Sequence, residues 1–291
     1  MISGIPTASD LHRTAINWMN LAWSSTIECL NEVREWREYQ EEREANPVGL
    51  PSRVETLIKA QRFRITNAVS LLQQSLELFL KAKVAEVSPF FLISGDPRAW
   101  PKPDKNNVLD FSEFRTVDAV DLVKLVNTVS KEALPEKFVE QYNKLRIDRN
   151  KIVHLDTGNM VFESTVVLLQ ILGAHAALFP GQNWQRFRQE NFTPKSTHED
   201  DEYELDYSYD SYLTEIAIML ENLQPAQLKA FLGYTKGGRR VDCPNCENLT
   251  TKHYAGGRQY AQINKDKSIY CIACTTNFAD MESLEKFREI V

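Results

Sequence analysis

The sequence predicts a mainly α-helical chain that closes with a small module of β-hairpins. Three observations carry this. Much of the first 180 residues repeats apolar side chains at steps of three, four and seven, the spacing of one buried helix face. Val161 to Leu178 is apolar nearly all round, as a helix inside a bundle is. Near the end, Cys243-Pro-Asn-Cys246 and Cys271-Ile-Ala-Cys274 stand with 24 residues between them, and that span holds Gly256-Gly257 and alternating Tyr260, Gln262 and Ile263. Short hairpins pinned by thiolates fit such a stretch.

In chain order, Thr7 to Asn46 reads as one long helix with capping candidates at Ser9 and Asp10, ended before Pro47. A second starts at Ser52, where Ser52 and Glu55 match a capping box, and runs to about Val87 with Ile65, Val69, Leu72, Leu76 and Phe79 on one face. These two should pair antiparallel. Pro89 to Asn107 reads as a loop whose Phe90, Phe91, Leu92 and Ile93 fold back onto the core. Shorter helices are expected near Val117 to Ser130 and Pro135 to Val153, then the all-round apolar helix to Leu178. Phe179-Pro180-Gly181 breaks the chain, Asn191 to Tyr212 is an acidic connector, and a helix from Tyr212 to about Phe231 precedes a hinge at Gly233, Gly237 and Gly238. The expected division is therefore 1–190 for the helical domain, 191–240 for an acidic linker plus helix, and 241–291 for the hairpin module with a C-terminal helix. No internal repeat is evident.

A chain of 291 residues at 43% hydrophobic is long enough for one substantial core and a smaller unit. No apolar run reaches membrane-spanning length and no basic stretch precedes an apolar one at the N-terminus, so no membrane role is expected and the expected compartment is cytoplasmic. Five cysteines fit a reducing environment, with Cys29 alone read as a buried thiol. The net charge of −6 argues against non-specific binding to long nucleic acid as the main role. The charge is unevenly spread, however. Glu199 to Asp210 carries seven carboxylates and no Lys or Arg, a solvated linker or a strip that covers a basic groove, whereas Lys236 to Lys267 is rich in basic residues.

The stretch richest in chemistry is Arg149-Asn150-Lys151-Ile152-Val153-His154. Phe138, Tyr142, Leu145 and Ile152 mark a buried helix face, and Arg149 falls on the same row, where a guanidinium calls for a partner, a cleft or a subunit interface. Asn150 and His154 share a face, but five residues turn a helix by about 140 degrees, so one straight helix does not aim Arg149 and His154 at one small atom. Two copies related by a two-fold axis could. A groove with two histidines and two arginines suits attack of an RNA 2′-hydroxyl on its own phosphate, with a histidine moving protons and a guanidinium holding phosphoryl oxygens. The same residues could equally cap a helix end and pair with Asp148 or Asp156. Glu77 is a further candidate partner for Arg149 or for an adjacent lysine, and Lys81 and Lys83 read as solvated.

The phrases around this motif resemble the HEPN domains, all-helical modules of toxin, antiphage and RNA-processing systems. They are "LLQQSLELFLKAKV" at 71–84, "SPFFLISGDPRAWP" at 88–101, "VDLVKLV" at 120–126, "LRIDRNKIVHL" at 145–155 and "HAALFPGQNWQRFR" at 175–188, in family order across roughly the first 190 residues. The resemblance implies a HEPN-type helical bundle, a homodimer through that domain, and a metal-independent endoribonuclease site shared across the dimer, with RNA as substrate. It makes Arg149 the phosphate clamp, His154 the general acid or base and Asn150 its assistant. Some members paired with nucleotidyltransferases carry a modified tyrosine two residues after the histidine; here Asp156 stands there. Non-catalytic members imply the alternative, a dimeric adaptor that binds RNA, a nucleotide or a regulatory protein.

The two C-x-x-C pairs imply a structural zinc ion bound by Cys243, Cys246, Cys271 and Cys274, one per chain, in a zinc ribbon too small to fold without metal. His253 is a lesser candidate ligand. No catalytic metal is expected. Arg239, Arg240, Arg258 and Lys265 lie among Tyr254 and Tyr260, a mixture that could hold a phosphate backbone while bases stack. A module that packs on its own body or on a protein partner is the other use of such a ribbon. His12, His175 and His198 are read as surface or core residues.

Overall fold

A computed structural model describes residues 1–43, 50–103, 105–154, 162–191, 202–250 and 259–290. It is mainly helical, with a small C-terminal sheet, and divides into two compact units, Met1–Ala177 and Leu178–Val291.

The first unit is built on two long helices, α1 (Ala8–Arg43) and α2 (Leu50–Val87). The Thr7 hydroxyl accepts from the Asp10 N–H at 3.1 Å and donates to the Asp10 carboxylate at 2.6 Å, so the cap of α1 is Thr7 rather than Ser9 or Asp10. The described part of α2 already includes Leu50, so the helix is under way before Ser52, its expected start. Two contacts show the antiparallel pairing: Ser75 Oγ donates to the Ala15 carbonyl at 2.7 Å and Gln61 Nε2 to the Cys29 carbonyl at 3.0 Å, so α2 residues of falling number meet α1 residues of rising number. Ala15, Met19, Ala22, Trp23 and Cys29 face Ile65, Val69, Leu72, Leu76 and Phe79 in a seam from which water is excluded. Burial pushes the Cys29 thiol up to about 11, in keeping with an inert core residue.

The loop after α2 is organised by three short 3-10 turns, Pro89–Leu92, Pro97–Ala99 and Phe111–Glu113, each started by a side-chain oxygen of Ser88, Asp96 or Asp110. Only Leu92 of the expected apolar quartet is buried; Phe90 and Phe91 remain half exposed because the 3-10 turn points them outward. Strand β1 (Ile2–Ser3) pairs in parallel with β2 (Leu109–Asp110) and ties down the N-terminus. Helices α3 (Leu122–Val129), α4 (Glu136–His154) and α5 (Ser164–Leu178) follow. The buried residues of α4 are Phe138, Tyr142 and Leu145, and those of α5 include Val167, Leu168, Ile171 and Leu172, while Val166 is exposed.

The second unit begins earlier than the expected boundary near residue 190. Helix α6 (Trp184–Glu190) belongs to it, joined by a buried ion pair between Arg188 and Glu215 at 2.8 Å and by Gln185 Nε2 donating to the Leu232 carbonyl at 3.3 Å. Glu215 lies on α7 (Glu202–Asn222) and Leu232 on α8 (Pro225–Leu232). The single helix expected over Tyr212 to Phe231 is thus two, because Pro225 occupies the first turn of α8 and cannot continue α7. Part of the acidic connector is helical as well, since α7 includes Glu202 and the residues that follow it. Gly233, at φ +67°, ends α8 in the left-handed region where glycine carries no Cβ penalty.

The hairpin module consists of β3 (Arg240–Val241), β4 (Ala261–Ile263), β5 (Ile269–Cys271) and β6 (Asn277–Phe278) in one antiparallel sheet of order β3-β4-β5-β6. A short helix α9 (Pro244–Leu249) and the terminal α10 (Met281–Ile290) flank it. No described helix is long and apolar enough to cross a membrane.

Candidate active site and candidate metal centre

Helix α4 runs unbroken through the motif as far as His154, the last residue described there. Its regular geometry therefore holds Arg149 and His154 about 140 degrees apart around the axis, as the spacing implies. The buried row of Phe138, Tyr142 and Leu145 gives way in the last turns to Arg149, half buried, and Val153, which is 54% exposed. Asn150 and His154 are exposed on the adjoining face. Arg149 Nη1 donates to Asn150 Oδ1 at 3.4 Å, and its Nε is buried with no hydrogen-bond partner among the described residues. No ion pair to Asp148 closes the site among those residues; Asp156 lies outside them.

The neighbouring seam between α2 and α4 is polar. Glu77 pairs with Lys81 at 2.8 Å and accepts from Gln73 Nε2 at 3.3 Å, which answers the expectation for Glu77 in favour of the adjacent lysine. The Tyr142 hydroxyl donates to the Ala119 carbonyl at 2.9 Å; burial, and after it the Glu77 charge, push its ionisation up, while Arg146 opposes them. His175, on α5, is 2% exposed and burial holds its pKa down to about 4, so it is a neutral core residue at neutral pH.

The four cysteines of the second unit come together. Their Sγ atoms all lie within 4.8 Å of one another, with Cys243 to Cys274 at 3.6 Å and Cys246 to Cys271 at 3.5 Å, and none forms a disulfide. A tetrahedron of thiolates at about 2.3 Å from a zinc ion has edges of roughly 3.8 Å, so the cluster fits a metal ion such as zinc. Without an ion, four thiols this close, three of them buried, cannot all ionise freely: hydrogen bonds among them, that from Cys243 first, raise the pKa of Cys246 and Cys271 and lower that of Cys274.

The support around this cluster had no signal in the sequence. The Tyr209 hydroxyl lies 3.3 Å from Cys246 Sγ, and burial first, then the Cys246 sulfur, keep that hydroxyl protonated and able to donate. The Ala273 carbonyl, inside the second C-x-x-C, accepts from Gln189 Nε2 and from the Tyr212 hydroxyl, each at 2.8 Å. Helices α6 and α7 thus fix one knuckle, so the module is joined to helices of its own unit rather than hung from a linker.

The residues expected to touch nucleic acid are partly gathered. Arg239, Arg240 and Lys265 are exposed, and the Ile263 N–H donating to the Arg239 carbonyl at 2.9 Å brings the start of β3 beside the β4–β5 turn that carries Lys265. The Arg240 guanidinium stands 5.9 Å above the Tyr234 ring. Tyr260, expected to offer a face for stacking, is 5% exposed and donates its hydroxyl to the Leu213 carbonyl at 3.4 Å, so it is core. Arg258, Tyr254, His253 and His198 lie outside the described residues.

Comparison of the chain with protein-family models, with curated proteins and with solved structures gave no match.

Proposed function

We propose that the first unit is a HEPN-type helical bundle acting as a metal-independent endoribonuclease of a toxin or antiphage system. The observation that carries this reading is the stretch of α4 from Arg149 to His154. There Arg149, Asn150 and His154 follow one another in regular helix, with Arg149 hydrogen-bonded to Asn150 and no carboxylate paired with it among the described residues. In a two-fold dimer formed through this face, one His154 takes the proton of the RNA 2′-hydroxyl as its oxygen attacks the adjacent phosphorus, and the other His154 protonates the departing 5′-oxygen. Arg149 stabilises the charge gathering on the phosphoryl oxygens, and Asn150 orients it. The products are a 2′,3′-cyclic phosphate and a 5′-hydroxyl. The fit of four thiolates supports a second part of the proposal, one structural zinc ion per chain held by Cys243, Cys246, Cys271 and Cys274.

The test is incubation of a single-stranded RNA with the wild-type chain and with His154→Ala and Arg149→Ala, followed by mapping of the ends. Cyclic-phosphate products from the wild type and a loss of at least about a hundredfold in each variant are expected. Equal cleavage by wild type and His154→Ala would remove the assignment.

A further inference from the structure

Arg146 stands one turn before Arg149 on α4, outside the stretch from Arg149 to His154. The two side chains are about 60 degrees apart around the helix and about 4.5 Å apart along it, so they are neighbours on one surface. Both are half buried, and the Nε of each is shut off from water with no hydrogen-bond partner among the described residues. Neither guanidinium has an ion pair there. The carboxylate of the adjoining α2 face, Glu77, is already held by Lys81 and Gln73. Glu77 and Arg146 both act on the Tyr142 hydroxyl, and the cation paired with Glu77 is Lys81.

Burying a donor without an acceptor is unfavourable, and folded chains keep such groups chiefly where something else supplies the acceptor. Two adjacent guanidiniums with no ion pair among the described residues call for an anion, and the planar fork of arginine matches phosphate oxygens. We infer that Arg146 is a substrate-positioning residue that holds the backbone phosphate next to the one held by Arg149, so that together they grip two consecutive phosphates of single-stranded RNA. This rests on the proposed ribonuclease reading of the same stretch of α4. The ridge formed by Arg146, Asn150 and His154, at steps of four, then tracks the strand toward the histidine.

Binding separates this proposal from that reading. A fluorescent oligoribonucleotide is titrated by anisotropy against the full-length His154→Ala chain, which does not consume it, and against the same chain carrying Arg146→Ala, Arg146→Lys or Arg149→Ala. Lys144→Ala, on the exposed opposite face of α4, serves as control. Arg146→Ala is expected to weaken binding about tenfold and to lower the slope of log affinity against log salt by about 1, with Arg146→Lys recovering part of the loss. In the His154-containing chain, Arg146→Ala should raise KM and leave kcat within about twofold, whereas Arg149→Ala lowers kcat. Unchanged binding with Arg146→Ala while Arg149→Ala weakens it would overturn the role of Arg146 and leave the active site standing. Binding indifferent to both arginines, without cleavage by the wild type, would overturn the ribonuclease reading and this inference with it. Thermal melting of each variant, with Arg146→Lys as the conservative form, separates lost binding from lost folding.

Discussion

A single hydroxyl stands beside the proposed metal centre. A metal-bound thiolate keeps negative charge on sulfur, and the Tyr209 hydroxyl at 3.3 Å from Cys246 is placed to donate to it. Such outer contacts commonly alter metal affinity by about 10- to 100-fold. Tyr209→Phe keeps the ring and removes the donor, so competitive chelation should report weaker metal binding by about that factor, and unchanged affinity would assign Tyr209 to packing alone. His175 gives a second residue-scale consequence. Its folded pKa of about 4 lies below the ordinary 6.5, so the unfolded chain binds more protons between those values and stability falls as pH drops through that window. The loss reaches on the order of 3 kcal/mol by the linkage relation. Urea midpoints of His175→Gln, which cannot titrate, should show a shallower decline between pH 6.5 and 4 than the wild type. Parallel slopes would contradict this.

At the level of elements, what was legible depended on length and spacing. Helices α1, α2, α4 and α5 span four turns or more, enough for the apolar period to show, and the four cysteines declare themselves by two fixed intervals. The seven residues of α6 and the eight of α8 complete too few turns to display a period, and their signals were local instead: Asn183, which caps α6, and Pro225, which opens α8. Arg149, Asn150 and His154 were legible as a motif, but the burial of the Arg146 Nε without a partner among the described residues depends on tertiary packing, and the reach of Tyr209 and Gln189 to the cysteine knuckles depends on how helices far apart in sequence meet. The same is true of the Arg188–Glu215 pair, whose side chains are 5% and 8% exposed. Removing one member leaves a buried charge unpaired, so Arg188→Met should destabilise the second unit by about 3–5 kcal/mol. Arg188→Met with Glu215→Leu should regain most of that loss, because two apolar side chains of similar volume leave no charge behind. A double variant as unstable as the single one would show that the pair holds more than itself in place.

At the scale of the whole molecule, the division into two units turns metal binding into a statement about folding. Among the described residues the sheet of the second unit is four short strands, little core by itself, and its connections run to α6, α7 and the segment after α8: Gln189 and Tyr212 reach Ala273, Tyr260 reaches Leu213, and the backbone N–H of Thr235 donates to Gln262 at 2.8 Å. If the cluster holds the proposed ion, removing it would leave four thiols packed within 4.8 Å, with Cys246 and Cys271 pushed up by their neighbours, and would take away the attraction that gathers them. Metal release should therefore loosen not only the hairpins but also α6, α7 and α8, because the same hydrogen bonds hold both. The first unit draws its core from the α1–α2 seam and contains none of the cysteine ligands, so it should stay folded. Since the thiolates must shed protons to bind, acid should act as a chelator does, and metal affinity should fall as pH falls. Hydrogen exchange followed by mass spectrometry, with and without a strong chelator, measures this directly. The expected pattern is lost protection across the described parts of 184–290, helices included, with protection of 8–43 and 54–87 unchanged. Exchange confined to the hairpins would show that α6–α8 fold without the metal and that the ribbon is only attached to them.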